Sequence, residues 1–131
     1  MKVVFDTNIF ISALVFPGSR AEEAMHRVME GKDHLIISKP IIQELLTTLA
    51  QKFSRDREEL ARVAVYLAEI ARTVHPKQKV NALEDEPDNR VLECALTGQA
   101  DIVVTGDRAM LALDEYKGVK IVTLKDYLNL P

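Results

Sequence analysis

Short, wholly apolar runs recur along this chain, separated by stretches of helical periodicity, and that alternation constrains the fold more than any other feature. Val3-Val4-Phe5, Leu35-Ile36-Ile37 and Ile102-Val103-Val104 are too short for helices and contain no polar alternation. Such runs read as strands buried on both faces, the pattern of a parallel sheet covered by helices. Residues 119–123 read as a last strand, and Thr73-Val74-His75 as a short one before Pro76. Between the strands, helical stripes run over 8–15, 21–31, 41–53 and 56–71. The third carries Ile42, Leu45, Leu46, Leu49 and Phe53 on one side; the fourth carries Leu60, Val63, Leu67 and Ile70. Further helices are expected over 88–97 and 108–113, with a closing turn at 126–130. Residues 76–87 form a polar, acidic loop. Strands alternating with helices predict an α/β fold with a central parallel sheet and right-handed crossovers. The 131 residues fit one domain spanning 1–131 and suffice to bury a core.

Composition excludes several classes. The single cysteine, Cys94, allows no internal disulfide, and its apolar setting reads as packing. A charged Asp6 interrupts any signal-peptide core, and no apolar stretch approaches membrane-spanning length, so a cytoplasmic location with no membrane contact is expected. The formal net charge of −3 argues against a passive nucleic-acid binder, which would normally be basic. It weighs less against a metal-dependent nuclease, whose bound cations bring positive charge to the site itself.

Four acids occupy places where chemistry is done. The first strand ends in Asp6 and the Ile102-Val103-Val104 run leads to Asp107, so each places a carboxylate beyond the carboxyl end of a strand, where open α/β sheets bind ligands. Glu44 and Asp88 lie between them. Four oxygen donors from distant segments, with no Lys or Arg built into their motifs, point to a divalent cation. With no His–Cys pair, the donor set favours Mg²⁺ or Mn²⁺ over zinc. Each acid also has a plain structural reading. Asp6, Asp88 and Asp107 precede helices and can serve as N-caps. Glu44 falls opposite the Leu45–Leu49–Phe53 stripe, which allows either a cleft or open solvent. Thr105 and Asn8 are small polar neighbours able to orient a carboxylate, and Asn8 can equally form a turn. No P-loop, dinucleotide glycine fingerprint or nucleophile elbow is present.

Taken together, Val4-Phe5-Asp6-Thr7-Asn8, the Pro40–Leu45 segment with Glu44, the block from Asp85 to Ala95, and Ala100–Asp107 resemble PIN domains. The nearest resemblance is to prokaryotic PIN proteins that serve as toxins of toxin–antitoxin systems. It covers the whole chain in order. It implies a three-layer α/β/α domain and a Mg²⁺- or Mn²⁺-dependent ribonuclease. It places the four acids of the family on Asp6, Glu44, Asp88 and Asp107, as catalytic and metal-holding residues. The small hydroxyl residue falls on Thr105 and the Asn on Asn8, with Asp85 an extra acid. The implied reaction is hydrolysis of RNA phosphodiesters by an activated water, without a covalent enzyme intermediate. The resemblance further implies a homodimer and a cognate antitoxin protein. Arg20, Arg90 and Arg108 are candidates for phosphate contact, and Ala24, Met25, Val28, Met29, Ile41, Ile42 and Leu46 for an interface.

Two other classes share parts of the pattern. A haloacid-dehalogenase-type phosphatase also begins with a strand-end Asp, but needs a second Asp two residues on, where this chain has Asn8. A non-enzymatic receiver-like domain needs an acidic pair after the first strand, and only Asp6 is present.

Overall fold

The computed structural model describes all residues from Met1 to Pro131. Its strands are β1 (Lys2–Phe5), β2 (His34–Ser38), β3 (Ala71–Val74), β4 (Ile102–Val104), β5 (Glu115–Tyr116) and β6 (Val119–Val122). The helices are α1 (Thr7–Val15), α2 (Arg20–Met29), α3 (Lys39–Phe53), α4 (Arg57–Ile70), α5 (Glu86–Thr97), α6 (Arg108–Ala112) and α7 (Leu124–Leu128). One six-stranded sheet has the order β3-β2-β1-β4-β6-β5. All pairings are parallel except that of β5 with β6, which closes one edge antiparallel. The two-residue β5 is the element that periodicity missed, since a pair of residues carries no period.

The order of the strands decides where a ligand can sit. From β1 through β2 to β3 the chain steps one way across the sheet; from β4 to β6 it steps the other way. Right-handed crossovers then put α1–α4 over one face and α5 and α6 over the other, giving three layers. The two directions part between β1 and β4, and their carboxyl ends flank a crevice.

Burial follows the apolar runs. Val3, Val4, Phe5, Ile37, Val103 and Val104 are fully buried, as expected of strands covered on both faces. α3 buries Ile41, Leu45 and Leu49, and α5 buries Val91, Leu92, Cys94 and Ala95 while crossing β1, β2 and β4. Cys94 is the packing residue expected; burial pushes its thiol up to about 12, so it stays protonated. Ala24, Met25, Val28 and Ile41, considered above for an interface, are core residues instead, because α2 and α3 turn those faces inward.

A buried polar group invisible to local patterns ties the chain ends to the core. Asp33 accepts from the Tyr127 hydroxyl at 2.7 Å, from Arg27 Nε at 3.2 Å and from the Met1 amine at 3.2 Å. Burial alone would raise the Asp33 carboxyl, but these three donors outweigh it and hold it below the ordinary range.

Close approach, rather than backbone freedom, explains Gly98. It follows α5 with φ −81°, which any residue can adopt, but a Cβ there would collide with the Ile36 side chain on β2. Gly98→Ala is therefore expected to destabilise by about 1–3 kcal/mol through overpacking. Gly106→Ala, where a Cβ meets nothing, should cost less. Chemical denaturation of both variants checks the contrast.

Candidate active site at the sheet switch point

Register sets the site. Val3 pairs with Ile102 and with Leu35, so continuing β1 by three residues brings Asp6 level with Thr105 on one side and Ser38 on the other. The Asp6 N–H donates to Val104 O at 2.9 Å and extends the β1–β4 ladder to that point. Asp6 is 94% buried, being only 6% exposed, and each of its carboxylate oxygens is engaged. Oδ1 accepts the Thr7 N–H at 2.7 Å, and Oδ2 accepts the Thr105 hydroxyl at 2.7 Å. The Thr105 oxygen in turn accepts the Asp107 N–H at 3.0 Å. One buried hydroxyl thus fixes both strand-end acids. Asp107 then caps α6, its Oδ2 accepting the Met110 N–H at 2.8 Å. Capping and site placement coincide in this residue.

Glu44 comes from α3 and faces the crevice, not open solvent. It is half-buried, and its Oε2 accepts the Thr7 hydroxyl at 3.2 Å. Thr7, itself buried, joins the α3 acid to the loop that holds Asp6.

Asp88 differs from expectation. α5 starts at Glu86, and its N-cap is Asp85, whose Oδ1 accepts the Asp88 N–H at 3.4 Å. The helix begins earlier because Pro87 belongs in a first turn, so the cap must precede it. Asp88 is thereby released from capping, and its side chain is buried within reach of the repulsive charge of Asp107. Asp85 is exposed and serves as cap and as an additional negative charge. Asn8 is exposed on α1 and makes no hydrogen bond with the protein through its side chain.

The electrostatics are those of crowded acids without counter-charge. None of Asp6, Glu44, Asp85, Asp88 or Asp107 belongs to an ion pair. Burial raises the Asp6 carboxyl against its two hydrogen bonds, and Asp107 and Asp85 raise it further. Glu44 is raised by burial and then by Asp6 and Asp85. Asp88 is pushed up to about 7, first by burial, then by repulsion from Asp107, Asp6 and Asp85. As they stand, no three acidic, imidazole or thiol side chains close into an ion cage. The acids stand instead as two hydrogen-bonded pairs sharing Asp6, with Glu44 through Thr7 and with Asp107 through Thr105, while Asp88 acts on them through its charge. The donor chemistry fits a hard divalent cation: oxygen only, anionic, buried or half-buried, and unpaired.

The residues that sequence reasoning missed lie behind the site. Asn89, fully buried on α5, donates to Leu83 O at 2.8 Å and accepts the Leu83 N–H at 2.9 Å. Glu93, on the same helix, accepts the Val80 N–H at 2.8 Å and a hydrogen bond from Arg90 Nη2 at 2.7 Å. Together they pin the acidic loop that leads to Asp85. Both lie in the quoted Asp85–Ala95 block, and their polar character on a helix otherwise buried was the available signal. Arg90, named above for phosphate contact, is taken up by Glu93, Glu86 and Val80 O. Arg20 and Arg108 are exposed and unpaired with any acid.

Two outcomes are expected. Thr105→Val leaves an Asp6 oxygen and the Asp107 N–H without partners, at a cost of about 1–3 kcal/mol, while Thr105→Ser keeps both bonds and most of the stability. Urea unfolding separates them. The second concerns pH in the presence of a chelator. The Asp88 carboxyl is raised in the folded state, so between about pH 5 and 7 the native protein binds more protons than the unfolded chain, and stability must fall as pH rises. Asp33, shifted the opposite way, has given its full contribution before that window opens. Melting temperatures across it should decline in the parent and decline less in Asp88→Asn.

Comparison with known proteins agrees with this layout. The chain is 29% identical over 126 residues to an uncharacterized protein of Methanocaldococcus jannaschii, covering 92% of this chain and 81% of that one. Among solved structures it is similar to VapBC2 from Rickettsia felis, bound to a DNA fragment from its promoter. That match has a TM-score of 0.68 at 13% identity and covers 94% of this chain and 98% of the other. Its similarity to VapBC-1 from nontypeable Haemophilus influenzae has a TM-score of 0.68 at 16% identity, covering 95% and 99%. FitAcB from Neisseria gonorrhoeae matches with a TM-score of 0.58 at 16% identity, over 94% and 98%. These structural matches show a shared fold. The family model described as PIN domain matches residues 2–109, which include all four acids. The chain belongs to the PIN-domain family.

Proposed function

We propose that this chain is a single-domain, Mg²⁺- or Mn²⁺-dependent endoribonuclease that hydrolyses RNA phosphodiesters, and that it is the toxin of a toxin–antitoxin pair. The observation that carries the nuclease reading is the set of crowded, unpaired carboxylates at the switch point, in a chain of the PIN-domain family. Asp6, Glu44, Asp88 and Asp107 would hold the cation, with Thr105 and Thr7 fixing the carboxylates. When bound, a divalent cation supplies activation of water and neutralises charge that builds on the phosphate. The chain's own work is to position and to move a proton. Thr105 keeps Asp6 and Asp107 in fixed directions, which lowers the reorganisation needed on reaction. Asp88, pushed up to about 7 by burial and its acidic neighbours, would give up its proton on taking the cation. No side chain is required to form a covalent bond with substrate.

An antitoxin partner is supported by the likeness to the VapBC structures, and a homodimer by the family resemblance. With much of α2 and α3 committed to the core, Met1, Phe16, Met29 and Val65 are the large apolar side chains left exposed for either contact. No helix is long and apolar enough to cross a membrane, and we place the protein in the cytoplasm.

The decisive comparison uses one substitution type. Asn caps helices about as well as Asp, so a residue that only caps should tolerate the change within a few tenths of a kcal/mol. With chelator, Asp6→Asn and Asp107→Asn should instead be more stable than the parent against mutual repulsion. Mn²⁺ should stabilise the parent by about 2.7 kcal/mol at a hundredfold excess over Kd, and both variants much less. Cleavage of single-stranded RNA should need Mg²⁺ or Mn²⁺, stop with EDTA and be lost in both variants. Unchanged metal response in both variants, or equal cleavage of double-stranded DNA, would overturn the assignment.

A further inference from the structure

A second group of charges lies on the same carboxyl edge of the sheet, with the opposite sign. Ser38 ends β2 and pairs with Val74 at the end of β3, and both stand level with Asp6 by the β1–β2 register. The next residues are Lys39, which opens α3, and His75, which opens the loop to Lys77 and Lys79. These four side chains, with Pro40, Pro76, Gln78 and Glu93, line most of a cleft of about 230 Å³. Lys39, Lys77 and Lys79 are exposed, and none is in an ion pair. Glu93 is the one acid in the cleft, and its charge is answered by Arg90 and the Val80 N–H. Three free ammonium groups therefore gather in a chain whose net charge is −3. α3 adds to them: Ser38 gives its N-terminal amides no side-chain cap, so the positive end of that helix faces the same edge.

Neighbouring strands lie about 4.8 Å apart, so the cleft sits one to two strand spacings, roughly 5–10 Å, from the Asp6 strand. We infer that Lys39, Lys77 and Lys79 form a backbone track for RNA, holding phosphates that flank the bond addressed by the acids at β1 and β4. This rests on the ribonuclease reading and adds to it a direction: the strand leaves the acidic crevice over β2 and β3, not over β6. Lysine ammonium groups contact phosphate as point charges without reading bases, so the track sets affinity and register while leaving sequence choice elsewhere.

The test separates this inference from the reading beneath it. Binding of a fluorescein-labelled single-stranded RNA is followed by anisotropy over a salt series, with chelator, in the Asp6→Asn background so that the RNA stays intact. Each phosphate contact on a single strand contributes about 0.7 to the slope of log K against log salt. Lys39→Ala/Lys77→Ala/Lys79→Ala should make that slope shallower by about 2. Arginine at the same three positions should restore it. Lys117→Ala/Lys120→Ala, at the opposite end of the sheet, should leave it unchanged. In the otherwise native chain with Mn²⁺, the triple alanine variant should raise KM for RNA with a smaller change in kcat. If the native chain cleaves RNA but the triple variant keeps the parent slope, the track is wrong and the ribonuclease stands. An arginine variant that falls as far as alanine also overturns it. If the native chain does not cleave RNA, the reading of the active site fails, and absence of RNA binding removes the track with it.

Discussion

Pairing of β1 with β4 is the constraint on which the rest of this molecule depends. Val3 meets Ile102 and Phe5 meets Val104, residues 99 positions apart brought to adjacent strands. That one ladder reverses the direction in which the chain crosses the sheet, opens the crevice between the two carboxyl ends, and puts Asp6 beside Thr105. The fully apolar interior of both strands drives the pairing, because neither has a polar face to offer water. Everything polar at the site is then carried on the first residues beyond it.

Cost and utility meet in the same few side chains. A buried carboxylate without a counter-ion is unfavourable, and here several are raised together by burial and by one another. The hydrogen bonds from Thr105, Thr7 and the Thr7 amide lessen that cost without removing the negative potential. The neighbouring lysines stay outside ion-pair distance of the acids, so the edge keeps a negative crevice beside a positive flank instead of cancelling to neutrality.

How much of this was legible in the sequence depended on the range of the interaction. The strand runs and helical stripes are local, and they emerged within a few residues of their places. So did the placement of Asp6 and Asp107, because a strand end is a local event. Asp88 stands out as an acid in the sequence, but the N-cap position open to it there falls to Asp85. Asp85 and Asp88 are three residues apart, and capping rules alone suit either; only the place of Pro87 in the first turn decides for Asp85. Glu44 could not be aimed from a helical wheel, since what lies opposite an apolar stripe depends on which neighbour covers it. Thr7 supplies that answer from another element. Asp33, bound by Arg27 and Tyr127, was illegible: its partners are 6 and 94 residues away, and no spacing announces them.

The position of β1 at the centre of the sheet also governs the order in which the protein comes into being at the ribosome. Its first edge is answered once β2, ending at Ser38, has emerged, but its second stays open until Val104 follows. Until then a nascent chain carries Asp6 and Glu44 with no Thr105, Asp107 or β4 to complete them. The acidic crevice is assembled only once residues 102–107 have been made, so a chain cut short before them carries an exposed strand edge and leaves Asp6 without Thr105 and Asp107.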